Sequence, residues 1–229
     1  MRAGLCYNVV IVFDLDDTLY DEKTFAISGF MAVSRFLAKK YSLSYKKCLD
    51  FMIANEDNRG AIFDTVLSDN GLFTKKLRNQ CVSIYRYHKP SISLYTDAEA
   101  CLERFKKNSI YIVTDGHKNV QLNKLKALKL LRDPRIKHCY RTNAYGKAKA
   151  KPNRHCFDLI MKREKVNEKE ILYIGDNPYK DFIIKKHGFK TIRIRKGHFK
   201  DVTLDSSREA DLEIKSLSQL TNKVISKIG

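Results

Sequence analysis

Two carboxylates separated by one residue, Asp14 and Asp16, directly follow an apolar run near the start of the chain. Where a chain leaves a strand, residues two apart point to the same side, so both carboxylates can face one substrate. One can then attack as a nucleophile while the other moves a proton, as paired acids do in covalent catalysis. We interpret Asp17, which should face elsewhere, as a local cap or turn residue.

Two later apolar runs are also followed by polar clusters. The first cluster is Thr114-Asp115-Gly116, and the second is Asp176-Asn177 with Asp181. In open α/β sheets, ligands bind outside the carboxyl ends of the strands, so we expect these clusters and the first pair to meet at one sheet edge. Converging carboxylates repel each other, so a divalent cation is their natural counter-charge. Hard oxygen ligands supplied by a few carboxylates suit Mg²⁺.

The elements that must position these residues alternate between apolar runs and amphipathic helical patterns. This alternation predicts the α/β class, with a parallel sheet covered by helices. The predicted strands are Val9–Phe13, Ser109–Thr114, His138–Arg141, Ile171–Ile174, Thr191–Arg195 and Leu212–Ile214. The predicted helices are Asp97–Lys107, Lys118–Lys129, Arg154–Lys165, Tyr179–His187 and Ser216–Lys227. Because Thr191–Arg195 alternates between apolar and polar residues, we expect it near a sheet edge, with one face in water.

The stretch from about Tyr20 to Tyr95 contains no convincing strand. Its amphipathic runs near Ser28–Tyr41, Tyr45–Ala54 and Thr74–Tyr87 predict helices instead. The simplest organisation is an α/β core formed by residues 1–19 and 96–229, with an all-helical insertion over residues 20–95.

The composition is strongly basic, with 44 Lys and Arg against 26 Asp and Glu and a formal net charge of +18. Such a charge attracts anions, which include nucleic acids, acidic membranes and phosphorylated metabolites. The basic residues are dispersed along the chain as doublets, and no recognised nucleic-acid motif accompanies them. We therefore interpret them as solvated lysines and expect no specific nucleic-acid partner.

Neither a membrane segment nor a disulfide framework is predicted. No stretch approaches the ~20 consecutive apolar residues that span a bilayer, and Val9–Phe13 is too short for the apolar region of a signal peptide. The six cysteines are scattered without zinc-site spacing, and we interpret them as reduced thiols. These features predict a soluble, cytoplasmic protein with no membrane partner.

Taken together, these motifs resemble those of the haloacid dehalogenase-like superfamily. In this chain they are the D-x-D-x-T pattern of Asp14–Thr18, Thr114 at a strand end, Lys151 in Ala150-Lys151-Pro152, and Asp176 with Asp181. One such match is a moderate signal, but four in the family's order, placed at strand ends, are specific. The resemblance covers essentially the whole chain, and it implies a Rossmann-like core in which the helical insertion is a type-one cap.

The resemblance implies roles for three acids in catalysis and metal binding. Asp14 would be the nucleophile and a ligand of Mg²⁺. Asp16 would protonate the leaving oxygen and then activate water against the aspartyl-phosphate, while its backbone carbonyl binds the same metal ion. Asp176 would be a further ligand of Mg²⁺.

The resemblance also implies that three residues serve the phosphoryl group and that a fourth supports the site. Thr114 and the backbone amide of Asp115 would hold a phosphoryl oxygen. Lys151 would bind the phosphate and neutralise the charge that develops during its transfer. Asp181 would support the metal ligands or Lys151, although an acid at the start of a helix is also a good cap. Many relatives have Asn where this chain has Asp115, so we expect that carboxylate to point away from the phosphate.

The presence of Asp16 favours phosphoryl transfer, because the family's dehalogenases lack an acid at that position. We therefore predict a Mg²⁺-dependent phosphatase, a monomer or homodimer, that hydrolyses a small phosphorylated metabolite such as a nucleotide or sugar phosphate through an aspartyl-phosphate. The alternatives are a phosphomutase of the same superfamily and a nucleic-acid-binding or end-processing protein. A catalytically idle interaction module is disfavoured, since neither an acid nor the lysine is missing.

Overall fold

A computed structural model of the chain describes residues 9–56 and 60–228. The chain divides into two compact units. One combines Met1–Asp21 with Ser93–Gly229 and contains the sheet, whereas the other comprises Glu22–Ile92 and is helical in its described residues. The helical insertion therefore lies between the first and second strands in the chain.

The first unit is built on a sheet of six strands, and these are Val10–Phe13 (β1), Ile110–Thr114 (β2), Ile136–Arg141 (β3), Ile171–Gly175 (β4), Lys190–Ile194 (β5) and Leu212–Ile214 (β6). Their order in the sheet is β3-β2-β1-β4-β5-β6, and every neighbouring pair is parallel. β1 pairs along both edges and all of its residues are buried, as expected for an apolar run between two covered faces. The predicted α/β class and its six strands are confirmed.

The α-helices of the described chain are Glu22–Tyr41 (α1), Tyr45–Ala54 (α2), Ile62–Ser68 (α3), Lys75–Tyr87 (α4), Thr96–Arg104 (α5), Lys118–Ala127 (α6), His155–Glu164 (α7) and Asn222–Ile225 (α8). The sequence does not predict α3, because its seven residues are too few for a clear helical period. The helix predicted at Tyr179–His187 is wrong over residues 179–182, since only Ile183–His187 is helical, as a 3-10 turn. The helix predicted at Ser216–Lys227 is interrupted, because Ser216 and Thr221 each cap a separate short turn.

β5 is not a strand with one face in water, so that expectation is wrong. Thr191–Ile194 are all buried, and β6 pairs along the outer edge of β5. The guanidinium of Arg193 donates to both oxygens of Glu209, at 2.6 and 2.7 Å, and to the backbone carbonyls of Phe199 and Val202. The alternation of β5 therefore reflects a buried ion pair that fixes the following loop, and not a solvated face.

The helical unit packs α1 to α4 around an aromatic and aliphatic interior. The rings of Phe30, Phe63 and Tyr85 contact one another, with centroids 5.6 to 6.4 Å apart. Ser34 is the only buried polar side chain among the described residues of this unit. The buried charged groups of the described chain thus belong to the sheet unit. None of the described helices in either unit is both long and apolar enough to cross a membrane.

Candidate active site

The carboxyl ends of three neighbouring strands bring the predicted residues together. Because β1 lies between β2 and β4, the residues that follow these strands share one edge of the sheet. The backbone amide of Asp14 donates to the carbonyl of Ile174 at 2.8 Å, which joins β1 to β4 at this point. Asp14, Thr114 and Asp176 are all buried here. Charged groups held out of water must be balanced by one another or by a bound ion.

Lys151 is the cation that joins two of these acids. Its ammonium nitrogen lies 2.6 Å from the Asp14 carboxylate and 2.8 Å from that of Asp181, and it donates to the Tyr173 hydroxyl at 2.7 Å. Burial disfavours its charge, but the two carboxylates raise the pKa of Lys151 well above its usual value. Lys151 is therefore a fixed positive charge beside Asp14.

Asp181 is fully buried, and its carboxylate faces Lys151. One oxygen accepts from the hydroxyl of Tyr173 at 3.1 Å, and the other accepts from the backbone amide of Asn177 at 3.0 Å. Gly175 makes this approach possible, because a Cβ atom on that residue would lie 2.4 Å from Asp181 Oδ2. Asp181 thus orients the lysine and closes the turn after β4.

Asp14, Asp176 and Asp181 form a group of buried carboxylates that could hold a cation. One oxygen from each lies within 4.8 Å of the others. Burial, followed by the neighbouring acids, raises the pKa of Asp14 to about 7 and that of Asp176 well above its usual value. Lys151 offsets only part of this negative charge, so the oxygen donors fit a hard divalent cation such as Mg²⁺. Among the described residues, the Asp16 carboxylate does not belong to this group.

The carboxylate of Asp16 has a different set of partners. Its Oδ1 accepts from the Lys124 ammonium at 2.7 Å and from the Tyr20 hydroxyl at 2.5 Å, and its Oδ2 accepts from the Gln121 amide at 2.7 Å. Lys124 and Gln121 are only 3% and 1% exposed. Burial alone would raise the pKa of Asp16, but the charge and hydrogen bond of Lys124 lower it, with help from the two neutral donors. These contacts favour the carboxylate form of Asp16, so it must take up a proton before it can act as an acid.

Thr114 and Asp115 lie beside these groups at the end of β2. The buried Thr114 hydroxyl accepts from the Gln121 amide nitrogen at 2.6 Å. The Asp115 carboxylate accepts from the Thr142 hydroxyl and, at 3.1 Å, from the backbone amide of Lys151. Asp115 thus holds the segment that carries the lysine, a role that the sequence-based expectation does not include.

Asp17 contacts a more distant part of the chain than its neighbours do. Its φ of 54° lies in the left-handed region, and its carboxylate accepts from the backbone amide of His198 at 3.0 Å. It therefore joins the loop after β1 to the loop after β5. The expectation of a purely local cap or turn residue does not describe this contact.

Four residues of the site, Tyr20, Gln121, Lys124 and Tyr173, are not singled out by the sequence motifs. Two of them lie in α6, where the structure shows Gln121 and Lys124 buried on one face beside Leu125. A helix face turned to the core is normally apolar, so two polar residues at i and i+3 on that face indicate partners within a site. The two tyrosines follow or lie within apolar strands, where spacing does not distinguish them from core residues.

The chain is similar to known proteins over most of its length. The profile of the haloacid dehalogenase-like hydrolase family matches residues 11–194. A glyceraldehyde 3-phosphate phosphatase from Methanocaldococcus jannaschii is 26% identical over 226 residues, which cover 93% of this chain and 96% of that protein. A protein of the same name from Pyrococcus furiosus is 27% identical over 223 residues, which cover 92% of this chain and 90% of that protein.

The fold is also shared with solved structures. One is the HAD hydrolase YfnB from Bacillus subtilis, whose crystal structure with bound magnesium reveals interdomain movement. It superimposes with a TM-score of 0.65 at 18% identity, covering 96% of this chain and 98% of that chain. At this level of identity the likeness establishes the fold alone.

Proposed function

The chain belongs to the haloacid dehalogenase-like hydrolase family and is a phosphatase, and from this premise we propose that it uses Mg²⁺ and a phosphorylated Asp14. The observation that carries the proposal is the contact of Asp14 with Lys151 inside a buried group of carboxylates. This contact supports the proposal, because a transferred phosphoryl group requires positive charge beside the nucleophile.

The reaction divides into two transfers. In the first, a carboxylate oxygen of Asp14 attacks phosphorus and the bond to the substrate oxygen breaks. Asp16, which enters this transfer with a proton taken up from solvent, gives that proton to the substrate oxygen. In the second, Asp16 takes a proton from water, whose oxygen attacks the same phosphorus and releases inorganic phosphate and the Asp14 carboxylate. The two proton transfers cancel, so both acids are restored at the end of each cycle.

The phosphoryl oxygens need hydrogen-bond donors during both transfers. Lys151 supplies positive charge beside Asp14, and the backbone amide of Asp115 supplies an N–H at the end of β2. The Thr114 hydroxyl accepts from Gln121, so it keeps its own proton to donate to a phosphoryl oxygen. Asp115 contributes through its side chain as well, because it fixes the backbone of Lys151.

We propose that Asp14 and Asp176 hold Mg²⁺ together with the backbone carbonyl of Asp16, and that Asp181 supports this site. Three buried carboxylates so close together are unfavourable without a counter-charge, which makes them a suitable donor set. When bound, Mg²⁺ supplies positive charge to the carboxylates and to the phosphoryl oxygens. Lys151 cannot replace it, because its ammonium already pairs with Asp14 and Asp181.

A small phosphorylated sugar is the substrate class that we propose. The curated relatives are named for glyceraldehyde 3-phosphate, which belongs to this class. The net charge of +18 favours encounters with anions of this kind. We also propose that the helical unit, Glu22–Ile92, acts as a cap that admits the substrate and excludes water.

A phosphatase screen with Mg²⁺ tests this proposal. Wild type and Asp14→Asn would be assayed for inorganic phosphate with glyceraldehyde 3-phosphate, other sugar phosphates and nucleotides. We expect the wild type to release phosphate fastest from small sugar phosphates, and the variant to release none while keeping its circular dichroism spectrum. Isomerisation of a sugar phosphate without net phosphate release would instead indicate a phosphomutase. Equal turnover by a folded Asp14→Asn protein would refute the proposed nucleophile.

A further inference from the structure

The two oxygens of the Asp16 carboxylate are held with unequal strength. Oδ1 accepts from the buried ammonium of Lys124 at 2.7 Å and from the Tyr20 hydroxyl at 2.5 Å. Among the described residues, Oδ2 accepts from one donor, the amide of Gln121. A hydrogen bond to an ammonium group is stronger than one to a neutral amide, so Oδ1 is the better fixed of the two.

The hydrogen bond from Gln121 to Oδ2 also has competitors. The same amide nitrogen lies 2.6 Å from the Thr114 hydroxyl and 2.6 Å from the backbone carbonyl of Asp115. A side-chain amide has two N–H protons and cannot satisfy three acceptors at once. One contact is therefore surplus, and Oδ2 of Asp16 can lose this donor while both N–H protons of the amide stay bonded to the other two acceptors.

Lys124 is held in place by the fold itself. It lies one turn after Gln121 on α6, a helix that begins shortly after the end of β2. Its side chain is 3% exposed, whereas Lys126 on the same helix is exposed. A buried ammonium is unfavourable unless it is paired, and Asp16 supplies the carboxylate. The helix thus fixes a positive charge at one oxygen of Asp16.

We propose that Lys124 is a positioning residue of the phosphatase reaction. It anchors Oδ1 of Asp16, so that Oδ2 is free to exchange Gln121 for the leaving oxygen in the first transfer and for water in the second. Lys124 acts through Asp16 and need not touch the substrate. The inference rests on the proposed function, because it takes from there the proton transfers assigned to Asp16.

Lys124→Met removes the ammonium group and keeps an unbranched side chain. Without its anchor Asp16 can rotate, and general acid–base catalysis is worth ~10²–10⁴ in rate. We expect kcat for an alkyl phosphate to fall about 10²-fold with little change in KM. The loss with an aryl phosphate should be smaller, because a phenolate leaves with less need of a proton. Lys124→Arg should recover part of the activity, and Lys126→Met is the matched control that keeps wild-type kcat.

A double-mutant cycle separates positioning from a merely structural role. In an Asp16→Asn background, Lys124→Met should lower kcat by no more than about twofold, since the group that it positions is already absent. Equal losses in both backgrounds, or equal losses with the two leaving groups, would overturn the inference. If Lys124→Met does not fold, Lys124→Gln keeps a donor without the charge and is subject to the same comparison.

The proposed function is checked separately in the same assays. Phosphate release by the wild type, and its loss in Asp14→Asn, report on that function alone. If both hold while Lys124→Met matches Lys126→Met, the inference fails and the proposed function stands. If the wild type releases no phosphate from any member of the panel, the proposed function fails first.

Discussion

Two carboxylates that are separated by a single residue have opposite surroundings in this protein. The Asp14 side of the site comprises Asp14, Lys151, Tyr173, Asp176 and Asp181, and the Asp16 side comprises Asp16, Tyr20, Gln121 and Lys124. On the Asp14 side, three buried carboxylates share one ammonium group, and burial raises the pKa of Asp14 to about 7. On the Asp16 side, one carboxylate has an ammonium and two neutral donors, which lower its pKa although burial alone would raise it. Charge balance therefore distinguishes the two acids, since only the Asp14 side has negative charge left for a cation.

The largest effect should come from the nucleophile itself. Asp14→Asn removes the attacking oxygen and one negative charge from the Asp14 side, so phosphate release from any substrate should fall to background. The fold should survive, because the amide fills the same space beside Lys151. Circular dichroism and phosphate release on the same preparation check both statements. If Asp14→Asn loses its fold as well as its activity, Asp14 is needed for the structure and the result does not support a nucleophile.

Asp16→Asn should have the next largest effect. Phosphate release should slow by ~10²–10⁴, the range of general acid–base catalysis, because the amide cannot exchange the proton. Binding of Mg²⁺ should persist, since the carboxylate lies outside the cation group and its backbone carbonyl is unchanged. Kinetics and a Mg²⁺ titration of Tm measure the two separately. Halide release from a 2-haloacid, unaffected by this substitution, would instead mark a dehalogenase.

Mg²⁺ should stabilise the Asp14 side in a pH-dependent way. Burial raises the folded-state pKa of Asp14 from 3.8 to about 7, so the unfolding free energy of the cation-free protein should fall as pH rises between these values. At about pH 6 the Asp14 carboxyl group is mostly protonated, so a cation must displace its proton, whereas at about pH 8 it is mostly ionised. The Tm increase on adding Mg²⁺ should therefore be larger at the higher pH. When the free Mg²⁺ concentration is 100 times its Kd, binding should raise the unfolding free energy by about 2.7 kcal/mol.

Asp176→Asn provides the control for this measurement, because it removes one carboxylate of the cation group. Its Tm should respond much less to Mg²⁺ at either pH. A chelator should return the wild type to its cation-free Tm and abolish its activity. A Mg²⁺ response that is equal in wild type and Asp176→Asn would show that the cation binds elsewhere.

A matched pair of tyrosine substitutions should show the smallest effects and compare the two sides directly. Tyr173→Phe leaves the buried Lys151 and Asp181 each without one partner, which should lower the unfolding free energy by about 1–3 kcal/mol. Tyr20→Phe should lower it by about 0.5–1.5 kcal/mol, because Lys124 still pairs with Asp16. Urea denaturation measures both values. A larger loss for Tyr20→Phe than for Tyr173→Phe would contradict this expectation. It would mean that Lys124 alone does not hold Asp16 and that the Tyr20 hydroxyl is needed.

The sequence predicts the strand ends well, because the signals there are local. The apolar run of β1 stops at Asp14, and the runs of β2 and β4 stop beside Thr114 and Asp176, so parallel pairing alone brings these residues to one edge. The residue types then indicate hard-cation and phosphate chemistry. Neither step requires knowledge of how side chains pack.

Side-chain partners that are distant in the chain could not be predicted. Lys124 lies 108 residues after Asp16 in a helix that also contains Lys118 and Lys126, and no sequence pattern says which lysine is buried. Arg193 suggested a solvated strand face, because its partner lies 16 residues further on, in a loop without periodicity. Packing between elements determines that Lys124 and Arg193 are buried, and the spacing of residues along the chain does not predict that packing.

The proposed transfer of a phosphoryl group to Asp14 can be tested by mass spectrometry after rapid acid quenching. Wild type with Mg²⁺ would be mixed with glyceraldehyde 3-phosphate, or the best substrate of the screen, quenched during turnover, digested and compared with Asp14→Asn. We expect the mass of one phosphoryl group on the wild-type peptide that contains Asp14, fragmentation that places it on this residue, and no such mass in the variant. Phosphate release with an unmodified Asp14 peptide, or a phosphoryl group on another residue, would rule out Asp14 as the nucleophile.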